Sequence, residues 1–126
     1  MSTVIRPEIS KQNEMHISKH RYYELKHFCL QYPEWQKKCR YFKTSSIINQ
    51  NETTNDDNWI VYKDQIDLVD ICIREAAEEW LRPYLKYSVV FGEPYTKLKT
   101  GRGIPCCKEV FYAAYRRFFY ILSERR

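Results

Sequence analysis

Residues 101–126 read GRGIPCCKEVFYAAYRRFFYILSERR, and the way this stretch faces decides the fold. Arg116 and Arg117 stand among six aromatic side chains, just after the Gly-Ile-Pro turn of 103–105. At about 3.6 residues per turn, Cys107, Val110, Phe111, Ala114, Phe118, Ile121 and Leu122 fall on one side of a helix. Lys108, Glu109, Tyr112, Arg116, Arg117 and Tyr120 tend to the other, with Tyr115 and Phe119 on the border. The first set is expected to meet a core and the second to look outward, along a helix from Cys106 to about Ser123. Arg125 and Arg126 are expected to form a frayed basic tail.

Working outward, the preceding segment supplies more helices. Apolar residues at Ile66, Val69, Ile73, Ala76, Ala77 and Trp80, with acids between them, predict one long amphipathic helix that Pro83 interrupts. Leu81, Tyr84, Leu85, Ser88 and Val89 continue as a helix over 83–91 that Gly92 ends. Pro94 suits a first helical position, so a short helix is expected over 94–100, and residues Gly101 to Pro105 are expected to break it. Upstream, Ser18 is a candidate N-cap. Tyr22, Leu25, Phe28, Cys29 and Tyr32 form a helical stripe, and Pro33 closes one helix and opens the next, on which Trp35, Cys39 and Phe42 recur. The domain reading is therefore a flexible arm over 1–15, a helical hairpin over 16–43, a polar linker loop over 44–58, and a unit over 59–126. The fold class is all-α, a small helical domain of five to six helices with a C-terminal helix-turn-helix.

Composition narrows the function classes. A chain of 126 residues suits one domain with a modest core. Three Gly and five Pro argue against a β-sandwich or a disordered chain. No apolar run approaches the roughly 20 residues of a membrane span, and the opening MSTVIRPEIS lacks an apolar signal stretch. An intracellular location, the cytoplasm of a bacterial cell, is expected. Cys29, Cys39, Cys72, Cys106 and Cys107 are odd in number, without framework spacing, and read as reduced thiols. Charge is segregated: net +5 over residues 1–43, −7 over 44–80 and +7 over 81–126. A basic C-terminal unit suits a polyanion.

The order helix, short helix, glycine turn, final helix is that of a helix-turn-helix. The stretch EPYTKLKTGRGIPCCKEVFYAAYRRFFYIL resembles the C-terminal helix-turn-helix of sigma factor region four, and the phage regulators of the ArpU and RinA type that share it. The resemblance covers about 45 residues and rests on Tyr95, Leu98, the turn Gly103-Ile104-Pro105, and Arg116 and Arg117 in the second half of the last helix. Gly101 and Arg102 stand where that family has apolar residues. The resemblance implies a transcription regulator of a phage or prophage that reads duplex DNA. Its N-terminal helices would dimerise or contact host RNA polymerase. The DNA-binding set expected is Thr96, Lys97 and Lys99 beside the backbone, Arg102 in the segment that breaks the short helix, Lys108 and Glu109 at the start of the last helix, then Tyr112, Arg116 and Arg117.

A second reading comes from another class. Tyr, Trp and Arg dominate binding hot spots, and the acidic helix over 64–79 has the charge of a nucleic-acid mimic. The chain would then be a small phage inhibitor of a host nucleoprotein, of anti-CRISPR or anti-sigma kind. A homo-oligomeric structural role is a third. No phosphate-binding Gly-rich loop, Ser-His-Asp order or metalloprotease motif occurs. His16, His20, His27 and Cys29 lack a second ligand pair at zinc spacing. No catalytic residue, cofactor or metal is expected.

Overall fold

Ser18 does start a helix. Its side chain accepts a hydrogen bond from the Arg21 N–H at 3.2 Å, in the geometry of an N-cap. In the computed structural model, which describes residues 16–48 and 58–126, six helices follow. They are α1 (Lys19–Leu30), α2 (Tyr32–Ile48), α3 (Asn58–Ala76), α4 (Arg82–Phe91), α5 (Tyr95–Arg102) and α6 (Lys108–Arg125). No strand occurs among the described residues, and no helix there is long and apolar enough to cross a membrane. The all-α class read from periodicity is the observed one. The stretch 1–15, read as an arm, lies outside the described residues.

Pro33 sits in the first turn of α2, where its missing N–H leaves nothing unpaired. The main partner of α2 is α3 rather than α1, so the segment 16–43 does not close as a hairpin on itself. Tyr32 donates from its hydroxyl to the Asp70 carboxylate at 2.9 Å, and Lys38 donates to the Tyr62 hydroxyl at 3.2 Å. These pairings run in opposite directions along the two helices, which are therefore antiparallel. α2 also extends to Ile48, five residues into the stretch read as linker, because no Pro or Gly stops it there. Residues 49–57 lie outside the described residues.

α3 buries Val69, Ile73 and Ala76, as the stripe predicts, and also Cys72, which the stripe omitted, while Ile66 is half-buried. It ends at Ala76, however, and not at Pro83. Arginines take up the carbonyls at its C-terminus. The Arg82 side chain donates to the carbonyls of Ala77 at 3.0 Å and Arg74 at 3.3 Å, and Arg117 of α6 donates to the Ala76 carbonyl at 2.6 Å. The final carbonyls of a helix have no intrahelical donor, and guanidinium groups both satisfy them and complement the negative helix end. Trp80 lies past the resulting corner. It is 43% exposed and donates to the Glu78 carboxylate at 2.8 Å, so it is not part of the core stripe.

Two glycines adopt the left-handed backbone that other residues resist. Gly92 (φ 73°) ends α4 and Gly103 (φ 65°) ends α5. At the second, the Ile104 N–H reaches back to the Leu98 carbonyl at 3.2 Å, and both side chains are buried, as in a Schellman motif. Gly101, expected to break α5, stays helical instead, because the left-handed residue is needed two positions later.

α6 is a core helix. It buries Phe111, Tyr112, Ala114, Tyr115, Phe118, Phe119 and Leu122, and packs on α3, α1 and α4. The borderline Tyr115 and Phe119 are inside: Phe119 meets the Tyr22 ring edge-on at 5.1 Å, and the hydroxyls of Tyr22 and Tyr115 share a hydrogen bond of 2.7 Å. Val110, expected inside, is 46% exposed. The C-terminal arginines are not a frayed tail. Arg125 forms a fork on Glu75 at 2.6 and 2.9 Å, and the Arg126 guanidinium lies 4.2 Å from the centre of the Phe28 ring.

All five cysteines are free. Burial pushes the Cys72 thiol up to about 11 and the Cys29 thiol higher still. With thiol reagent at neutral pH, exposed Cys107 should therefore react first, and Cys29 and Cys72 only on unfolding. Phe118→Ala should cost about 3–5 kcal/mol in urea unfolding, whereas Val110→Ala should stay within about 0.5 kcal/mol.

Candidate nucleic-acid interface

The residues from Pro94 to Lys108 contain Lys97, Lys99, Arg102 and Lys108 and no acid. They comprise α5, the turn after it and the first residue of α6. α5 buries one side chain fully, Leu98, and leaves Thr96, Lys97, Lys99 and Thr100 exposed. Such a short helix is held by its ends. The Tyr95 hydroxyl donates to the Cys106 carbonyl at 2.6 Å, and the Tyr95 N–H donates to the Tyr112 hydroxyl at 3.3 Å. The Tyr95 ring also lies 5.8 Å from Phe111. These contacts fix the start of α5 against the first turns of α6, so the exposed lysines project from a rigid base.

The structure sorts the expected DNA-binding set into two groups. Thr96, Lys97 and Lys99 share the exposed side of α5, and Glu109 is exposed in the first turn of α6 beside half-buried Lys108. Among the described residues, Lys97, Lys99 and Lys108 have no ion pair, and half-buried Arg116 has none either.

Three other expected contacts are used within the fold. Tyr112, expected to look outward, is only 5% exposed, because Tyr95 covers the side of α6 that the simple two-sided wheel left open. The line Lys108, Tyr112, Arg116 is therefore not a continuous solvent stripe. Arg102 forks onto the Glu93 carboxylate at 2.8 and 2.9 Å and lies 3.5 Å from the centre of the Tyr87 ring. Arg117 is exposed on one side yet caps α3 through Ala76.

Glu93 is the unanticipated member of this corner. It is buried, and the Arg102 fork holds its carboxyl below the ordinary 4.5, with Lys97 adding to the effect. The pair closes the bend between α4 and α5 across nine residues.

The histidines considered for a metal, His16, His20 and His27, lie outside the core, while Cys29 is buried. Among the described residues no three His, Cys, Asp or Glu side chains come together to hold an ion.

Since the folded Glu93 and Glu75 carboxyls titrate below 4.5, their contribution is complete above that pH and is lost as pH falls through the lowered values. Urea midpoints from neutral to acid pH should therefore drop below about pH 4.5 in the native chain, by linkage. In Glu93→Gln that acid limb should be shallower. No protein-family model, curated protein or solved structure matches the chain.

Proposed function

We propose that this chain is a duplex-DNA-binding transcription regulator of the helix-turn-helix kind, docking through α5, the 103–107 turn and the first turn of α6. The observation that supports it is the exposed, acid-free edge of residues 94–108 on a rigidly held short helix. Unpaired lysines there release counterions from a phosphate backbone when they bind it. Lys97, Lys99 and Lys108 serve as phosphate contacts, and the Thr96 hydroxyl as a donor to a phosphate oxygen. The Cys107 side chain makes no capping bond to α6, so the N–H groups of that helix start remain for a phosphate. Glu109, exposed in that first turn, serves to accept from a cytosine amino group in the major groove. Arg116 extends the track along α6. Tyr112, Arg102 and Arg117 act instead by holding the unit's shape.

The resemblance to sigma region four and to ArpU- and RinA-type regulators extends the proposal to a phage or prophage protein acting in the bacterial cytoplasm. α1 to α3 would then dimerise or touch host RNA polymerase. The inhibitor reading draws less support. It needs the acids of α3 free, but Asp70 pairs with Lys86 at 3.4 Å and Glu75 with Arg125 at 2.6 Å.

Fluorescence anisotropy with duplex DNA over about 50–300 mM salt tests the reading. Log affinity should fall with log salt with a slope of several units. Combined alanine substitution of Lys97, Lys99 and Lys108 should lower that slope by about 1 for each lysine that pairs with a phosphate. Tyr112→Phe, which keeps the ring in place, should bind as the native chain does. Absence of binding at the lowest salt overturns the assignment.

A further inference from the structure

Tyr41, Trp59, Ile60 and Val61 are large apolar side chains left in water, and they belong to one end of the α2–α3 pair. The Cys39 thiol donates to the Trp59 carbonyl at 3.7 Å and Lys38 donates to the Tyr62 hydroxyl at 3.2 Å, which sets Tyr41 beside the first turn of α3. α6 covers the other end of α3, where Arg117 meets Ala76 and Arg125 meets Glu75. The other exposed large apolar residues among those described, Leu30, Trp80, Phe91 and Val110, are scattered along the chain, as is ordinary for a surface. A patch that includes a Trp and a Tyr has the composition of an interface.

The charges beside the patch select what fits it. Lys38 sits against Tyr62, its Nζ 4.7 Å from the ring centre, and Lys63 pairs with Asp67 at 3.3 Å. Lys37 of α2 and Asp64 of α3 are exposed and form no ion pair among the described residues. The bonds of Tyr32 to Asp70 and of Lys38 to Tyr62 set an antiparallel register that brings Lys37 level with Asp64. Opposite charges at one height on adjacent helices, yet unpaired, lie on diverging sides of the pair. A partner of a single charge sign would attract one of them and repel the other. A second copy turned about a two-fold axis offers its Asp64 to Lys37 and its Lys37 to Asp64.

We propose that this end of the α2–α3 pair docks a second copy of the chain, α2 of each copy lying on α3 of the other, with Trp59, Ile60 and Val61 in the seam. Two helices leave exposed an apolar side that four can enclose, as in a four-helix bundle. The inference takes up the dimer that the DNA-binding reading allows for α1 to α3. Its test contains no DNA, so its failure leaves the duplex reading as it stands.

Sedimentation velocity of the full chain over roughly 1–100 µM should show a monomer–dimer equilibrium. Combined Ile60→Ser and Val61→Ser should raise the dimer dissociation constant by roughly tenfold or more. Both residues are exposed, so this variant should keep the native helix content and melting transition by circular dichroism on the same samples. Lys37→Glu and Asp64→Lys should each weaken the dimer, because each sets like charges together twice across the axis. The two reversals in one chain should restore it. A chain that stays monomeric throughout overturns the proposal. So does a dimer indifferent to Ile60→Ser and Val61→Ser, which places the contact elsewhere. Single charge reversals without effect, or ones that the double reversal does not repair, overturn the pairing of α2 on α3.

Discussion

Phe111, Phe118, Phe119 and Leu122 have no surface left in water, and it takes α3, α1 and α4 together to cover the helix that carries them. This burial is the constraint from which the arrangement follows. A helix with seven buried positions in eighteen residues, five of them aromatic, must be covered from more than one side. The helices around it must therefore converge, and their polar ends must be satisfied at close quarters. Tyr22 and Tyr115 meet this demand by bonding to each other, which lets two phenols enter an aromatic core without an unpaired hydroxyl.

The same constraint explains where much of the basic charge goes. The C-terminal segment is formally +7, but several of its cations act inside the fold. Arg82 and Arg117 satisfy the carbonyls where α3 ends, Arg125 ties α6 to α3, and Arg102 closes the corner between α4 and α5. Guanidinium suits these places because its planar fork of donors matches carboxylates and helix ends. The exposed lysines of α5 form no ion pair among the described residues. Net charge thus overstates the cationic surface, and side-chain type sorts the two uses: arginines mostly within the structure, lysines mostly at its edge.

The short helix α5 shows how a site can be exposed and rigid at once. Eight residues cannot sustain a helix in water alone. Leu98 anchors it from below, Tyr95 ties its start to α6, and the left-handed Gly103 closes its end. The cost of ordering these side chains is met by folding rather than by binding, so a ligand would meet a preformed surface.

Much of the architecture is legible in the chain itself. The stripes of α1, α3 and α6, the Ser18 cap, the place of Pro33 and the stop at Gly92 follow from period, capping chemistry and backbone sterics, which act within a few residues. Those local rules determined an all-α chain of about this many helices, and the charge count marked 81–126 as its basic unit. Only the tertiary structure decided that α2 pairs with α3, that α3 stops at Ala76, that Tyr112 faces inward and that Arg102 and Arg117 serve the fold. The inward turn of Tyr112 and the role of Arg117 depend on partners far along the sequence: Arg117 lies 41 residues from Ala76, and Tyr112 lies 17 from Tyr95. A helical wheel describes one helix against one imagined plane. α6 meets three helices and the Tyr95 ring at several angles, and that geometry exists only once the whole chain has packed.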